Sequence, residues 1–426
     1  MLRAYVDFSR ILRPWDGFGV TYRTFASAPA RFNPEFVFGS DGLRAGIVRI
    51  FLDPWHQKKT DTRYPEDVPV EADEYDHTTG TEQIREFCTS AQSQLQKRGQ
   101  SLKVITTCLA PPEWMTKQKV ISGRDLDPLH RAEYARYMIS WLKFLEKQMI
   151  PVKYLSLHCK GERWDLWDEQ GRNLSRDLHN LYWPPEHVTD FLKLLKKMLQ
   201  KSSLQTGLAP GETESIINFQ DWGYVDAIID DPQALGALDL ISSYGSFSGE
   251  DALDCRSSAI DLIHQQRPDT PEWIVLEHSD VADTSFSSLI HNYIYGAKIN
   301  AALLDSIPVE TERSANVASV DFLKPLFWAG QPGMVICQVA CNCKGISITG
   351  FSGNLSGNPD SFVLVNSSDK DREIPVEIRG SASSKFALYR TSPQEKFVSV
   401  GIIPVREGKV ESLAPAHSVS AFFGSV

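Results

Sequence analysis

The chain has 426 residues, of which 42% are hydrophobic and 23% charged, the balance of a folded globular protein with apolar material for a large core. Its formal net charge of −10, with no lysine or arginine run beyond short pairs, argues against nucleic acid and anionic membrane surfaces as partners, because both require a basic face. No window reaches the roughly 18 apolar residues of a membrane span, and no GxGxxG or GxxxxGK[ST] motif is present to hold a nucleotide.

The N-terminus, MLRAYVDFSR, lacks an apolar stretch of signal-peptide length, so the expectation is a cytoplasmic protein, or a secreted one whose leader has been removed. Residues 4–9 (AYVDFS) form a lone strand candidate. From there to about residue 320, β-branched runs alternate with helical patterns. The strand candidates are 17–24, 45–52, 102–109, 152–158, 204–210, 238–244, 272–278 and 301–307, nearly continuous apolar runs of the kind buried on both faces. The clearest helices between them are 130–149 and 185–200, the second opening Trp183-Pro184-Pro185-Glu186 with proline in the first turn. Eight β/α units in about 300 residues favour a closed (β/α)8 TIM barrel over an open doubly wound sheet, giving an α/β barrel domain at 16–320. After residue 321 the pattern becomes short strands separated by Gly, Asn, Ser and Asp turns, which predicts an all-β, sandwich-like side domain at 321–426. The strand within 1–15 is expected to join it and so tie the chain ends together.

The seven cysteines contain no CxxC pair, and Cys341-Asn342-Cys343 is too tight for a zinc half-site. Nothing in the sequence calls for a metal or another cofactor, and the oligomeric state is not legible. Barrel chemistry belongs at the C-terminal strand ends, where eight loops converge. Reading those ends in order gives Arg49 and Asp53 on strand 2, Glu113-Trp114-Met115 on strand 3, and His158-Cys159-Lys160-Gly161-Glu162 on strand 4. Glu212 follows on strand 5, Tyr244 on strand 6, and Glu277-His278 on strand 7. Acids converging on one rim push their pKa values apart through burial and repulsion. Glycosyl transfer uses such a pair, one carboxylate attacking the anomeric carbon and one acid protonating the leaving oxygen.

With these motifs in order, the chain resembles the glycoside hydrolases of family 30 and their clan-A relatives. The resemblance rests on Trp15-Asp16-Gly17-Phe18-Gly19 at strand 1, Pro112-Glu113-Trp114-Met115 after strand 3, and Tyr134-Ala135-Arg136-Tyr137 before strand 4. It continues with Trp273-Ile274-Val275-Leu276-Glu277 on strand 7 and Phe327 to Gly333 leading into the side domain. It covers nearly the whole chain. It implies a retaining glycoside hydrolase acting on an oligosaccharide, polysaccharide or glycoconjugate, with Glu277 as nucleophile and Arg49 beside it holding it ionised. Trp114 would line the sugar pocket, and a hydroxyl of Tyr244 would donate to Glu277. Strand 4 departs from the pattern. The family's acid/base Glu aligns with Lys160 and the Asn before it with Cys159, and an ordinary ammonium with a pKa of about 10.4 is a poor proton donor near neutrality.

Glu162 is therefore the acid/base candidate, if the chain bends at Gly161. The alternative is that it pairs with Lys160 or Arg163 and only shapes the loop. Glu212 is a third acid, or a ligand for a sugar hydroxyl. Asp53, His158 and Lys160 complete the substrate-binding candidates, with His158 expected to bond a backbone carbonyl beneath the site. A catalytically impaired, glycan-binding relative of the same fold stands as the rival reading. A Schiff-base role for Lys160 is a third.

Overall fold

A computed structural model describes residues 4–24, 33–58, 68–174, 179–245, 258–277, 284–306 and 317–425; His278 and Cys255 lie outside them. Eight strand positions form a ring of parallel pairs: Gly17–Thr21, Ile47–Leu52, Lys103–Cys108, Tyr154–Ser156, Gly207–Ala209 with Glu212–Thr213, Ile241–Tyr244, Glu272–Leu276 and Ala301–Leu304. Strand 5 is in two pieces. Its first pairs with strand 4 and its second with strand 6, while strand 8 pairs back onto strand 1, so the sheet closes.

The barrel is filled because each strand buries both faces. Along strand 2, every residue from Ile47 to Leu52 is buried. Alternation with period two sends Ile47, Arg49 and Phe51 inward and Val48, Ile50 and Leu52 outward onto the helices. Inside, Ile47, Ile105, Tyr154, Leu240, Trp273, Ala301 and Leu303 pack into an apolar floor. The floor is closed at the N-terminal pole by Asp16, which accepts from Trp273 Nε1 at 2.9 Å and from Lys103 Nζ at 2.5 Å. Above it the lining becomes polar at Arg49, Thr107 and Glu212, and this layer supports the mouth.

The outer helices follow from the sequence pattern. Pro185–Lys201 buries one face, through Val188, Phe191, Leu192, Leu195, Met198 and Leu199 at helical spacing, whereas Arg131–Lys147 is buried all round from Glu133 to Leu142 and again at Leu145. The second sheet is antiparallel except at one pairing. Ala4–Pro14 lies between Val335–Cys341, with which it runs antiparallel, and Arg372–Arg379, with which it runs parallel. The N-terminal strand therefore belongs to the side domain. Strand Ser361–Asn366 is buried throughout because it works on two cores. Phe362 and Leu364 face the domain's own interior, and Val363 and Val365 face the last barrel helix, Val317–Ala329, and its neighbours. Among the described residues no helix is long and apolar enough to cross a membrane.

Candidate active site at the barrel mouth

The polar layer is organised by Arg49, which is fully buried, as is Glu212 across the barrel. The guanidinium grips both carboxylate oxygens of Glu212, with Nε 3.1 Å from Oε1 and the second contact shorter still. Thr107 donates to the same carboxylate at 2.7 Å. Nη1 reaches Asp305 at 3.2 Å, and Nη2, which also makes the second Glu212 contact, donates to the Tyr244 hydroxyl at 2.9 Å. Burial alone would weaken this cation, but Glu212, with Tyr244, Cys159 and Asp305, holds its pKa well above the ordinary value. Tyr244 donates in turn to Asp305 at 3.2 Å, and Arg23 clamps Asp305 with two contacts of 2.6 Å. Strands 1, 2, 5, 6 and 8 are thus joined in one network directly under the mouth.

Arg49 does not stand beside Glu277, and Tyr244 does not donate to it. The partners are Glu212 and Asp305, because the inward face of strand 2 looks across to strand 5 and the end of strand 8. The cation at Glu277 is Lys160, whose Nζ lies 2.7 Å from Oε1. The Glu277 side chain is 49% exposed, so it is the carboxylate of the cleft rather than of the core. Lys160 is also 4.3 Å from the centre of the Tyr244 ring and 3.9 Å from Glu214. Its backbone is held in the left-handed region at φ 52, an unfavourable place for a residue with a Cβ. The surroundings fix it: Lys160 N donates to Glu212 O at 2.6 Å, and Asn180 Nδ2 donates to the carbonyls of Cys159 (2.6 Å) and Lys160 (2.9 Å).

Glu162 follows the bend at Gly161 but turns into the protein and is only 1% exposed. Its Oε1 accepts from Glu214 N at 2.5 Å and Asn218 Nδ2 at 3.3 Å, while Oε2 is buried without a partner among the described residues. Burial raises its pKa, partly offset by those bonds. Neither expected cationic partner reaches it. Arg163 pairs with Glu214 at 3.0 Å and with Asp165, and Lys160 is taken by Glu277. His158 accepts from Gly161 N–H at 3.0 Å through Nδ1, where a bond to a carbonyl was expected; the tight turn aims an N–H at the ring. Burial pushes its pKa down to about 3, so the ring is neutral.

Asp53 is buried with its pKa raised by burial. It caps its own loop by accepting from Trp55 N at 2.9 Å, and its carbonyl accepts from the Tyr137 hydroxyl. Trp114 sits half-buried, edge-on to His130. Of the strand-4 loop tryptophans, Trp183 is buried above His158 and Trp167 donates to Ser122 O at 2.7 Å, which makes both packing residues. Trp164 is exposed. Cys159 is buried against Arg49 and Tyr244, and burial raises its thiol pKa, which removes it as a nucleophile. No group of three or more His, Cys, Asp or Glu among the described residues is placed to hold a metal ion.

The whole chain superimposes on solved glycoside hydrolases. A family 30 endoxylanase from Clostridium papyrosolvens matches with a TM-score of 0.76 over 100% of both chains at 15% identity. The catalytic domain of xylanase C from Talaromyces cellulolyticus gives 0.75 over 99% of this chain and 100% of that one, at 14% identity. An endo-β1,6-glucanase gives 0.69 over 100% of this chain and 95% of its own, at 15%. The fold is that of the family 30 glycoside hydrolases. No protein-family model matches the chain, and no curated protein matches it in sequence. The family 30 fold accounts for the N-terminal strand that joins the side domain and for the barrel whose mouth carries Glu277 and Lys160.

Proposed function

We propose that the barrel mouth acts on glycans as a retaining glycoside hydrolase, with Glu277 as the attacking carboxylate. The observation that carries this reading is Glu277 itself, at the end of strand 7. It is a half-exposed acid of the rim, above a network of buried charges and paired with Lys160, whose ammonium sits over the Tyr244 ring. The xylanases and glucanase that share the fold supply the substrate class.

In the proposed first step a Glu277 oxygen bonds to the anomeric carbon as the bond to the leaving oxygen breaks and its electron pair departs with that oxygen. Water then attacks the same carbon, releases Glu277, and loses its proton to the medium. The Arg49–Glu212–Asp305–Tyr244 network keeps the floor of the mouth fixed during both steps. Trp114 offers an aromatic wall, while Asp53 and His158 set the loops around the cleft. Glu162 remains the acid/base candidate by chemistry: burial favours its protonated form, the form a proton donor needs. It serves only if the loop at Gly161 opens, because its carboxylate is bound to Glu214 N and Asn218. Turnover is therefore expected to depend steeply on the leaving group, with dinitrophenyl glycosides cleaved and alkyl glycosides nearly inert.

The Lys160–Glu277 pair favours a second reading, in which the mouth binds sugar without hydrolysing it. Kinetics on dinitrophenyl glucosides and xylosides, for the wild type and Glu277→Gln, decide between the two. Turnover abolished by Glu277→Gln supports the hydrolase. Sugar binding without turnover supports the binder, and the absence of both rejects the assignment of this mouth to glycans.

A further inference from the structure

On the face opposite the mouth, the turn entering strand 2 from its N-terminal end meets the last barrel helix and the side sheet. Between them is a cavity of about 280 Å³ whose walls include Arg44, Trp328, Gln331, Asn358, Tyr389 and Phe423. Three elements far apart in sequence supply these groups, and packing alone leaves the space between them unfilled.

The charge in this corner is unbalanced. Arg44 holds a positive φ of 63 and lies flat on Trp328, its guanidinium carbon 3.3 Å from the ring centre. Trp328 is pinned by its Nε1 donating to Gly42 O at 2.7 Å, so the platform under Arg44 is rigid. Among the described residues, the one hydrogen bond of the Arg44 side chain goes from Nε to Ser40 O at 2.7 Å. Behind the wall, Arg98 donates to Gln331 Oε1 and to the carbonyls of Phe38, Ala45 and Arg44, all neutral acceptors. Among the described residues no carboxylate forms an ion pair with either arginine; Asp41 acts on Arg44 only at longer range. Burial lowers the pKa of both, and the neighbouring Arg44 helps push Arg98 down to about 10. In a chain of net charge −10, two partly desolvated cations with no ion-paired carboxylate among the described residues favour an anion between these walls.

We propose that this cavity binds a small ring-bearing carboxylate, with the carboxylate on the free end of Arg44 and the ring among Tyr389, Phe423 and Ala387. The volume suits one ring, at the small end of the range for ligand pockets. Arg44 presents a fork that matches a carboxylate, and stacking on Trp328 holds that fork in place. The Tyr389 hydroxyl and the Asn358 amide are polar groups for the ring's substituents. Both a sugar acid and an aromatic acid meet this description.

Titration of the full-length protein with glucuronate, benzoate and glucose, followed by calorimetry, tests the site. Binding of either acid is expected, weakened about tenfold or more by Arg44→Gln and by salt near 0.5 M, with glucose not displacing the acids. Glucuronate alone binding assigns the site to a sugar acid; benzoate alone assigns it to an aromatic acid. Ala387→Leu, which fills the cavity from the side sheet without touching an arginine, should abolish binding, and Glu277→Gln should leave it unchanged. The proposal is overturned if neither acid binds, if glucose competes with the acids for this cavity, or if Ala387→Leu has no effect on acid binding. Sugar binding that Ala387→Leu leaves unchanged belongs to the mouth.

Discussion

Replacing Arg49 with methionine removes the one cation that compensates Glu212 in the barrel interior. Both side chains are at 0% exposure, and after the change Glu212 keeps, among the described residues, only the 2.7 Å bond from Thr107. Breaking one side of a buried ion pair costs about 3–5 kcal/mol. Urea denaturation at pH 7 should report this loss, and adding Glu212→Gln should recover much of it, because the carboxylate left without its cation is then gone. A single-variant loss below about 1 kcal/mol, or no recovery in the double variant, would mean that water screens the pair, and the account of the sealed layer would be wrong.

Other expectations concern different parts of the molecule. His158 is neutral when folded, with a pKa of about 3, so its contribution to stability is full above the unfolded value near 6.5 and falls as pH drops through the window between them. His158→Asn should reduce the acid-side slope of stability by up to about 1.4 kcal/mol per pH unit, and an unchanged slope refutes the burial argument. Glu272 is fully buried with neither carboxylate oxygen bonded among the described residues, and burial raises its pKa well above the ordinary value. Glu272→Gln should be neutral below about pH 4.5 and increasingly stabilising above it, as thermal unfolding across pH will report. Gly211 has φ +139, and a Cβ there would lie 2.0 Å from His158 Nε2, so Gly211→Ala should cost several kcal/mol (about 3 or more). A soluble, normally melting Gly211→Ala protein would show that the His158 turn is softer than its contacts imply.

Much of this architecture is legible in the sequence because burial on both strand faces leaves long apolar runs, as in AGIVRIFL and EWIVLEH. The lysine at the end of strand 4 is equally plain, since Lys160 stands in a run whose neighbours keep their order. The partnerships were harder to read. Arg49 and Glu212 are 163 residues apart and meet only because an inward-facing position on strand 2 looks across a closed barrel. Assigning Arg49 to Glu277 missed this, as did overlooking Asp305 at the end of AALLDSI, where strand 8 returns beside strand 1. Arg23, Glu214 and Asn180 lie in loops, and Asn218 in a short helix of one and a half turns (Ile216–Asp221), where no periodicity marks a residue as inward. Glu162 could be seen to lie close to the rim, but which way it turns depends on the backbone N–H of Glu214 that captures it.

The claim that Glu277 is the attacking group is tested most directly by trapping. The protein is incubated with dinitrophenyl 2-deoxy-2-fluoro glycosides of glucose and xylose, whose fluorine slows release of a glycosyl-enzyme, and its intact mass is measured. The account predicts a gain of one fluorinated glycosyl residue, located on Glu277 by peptide mapping and absent from Glu277→Gln. An adduct on another carboxylate, or the same adduct in Glu277→Gln, would contradict it.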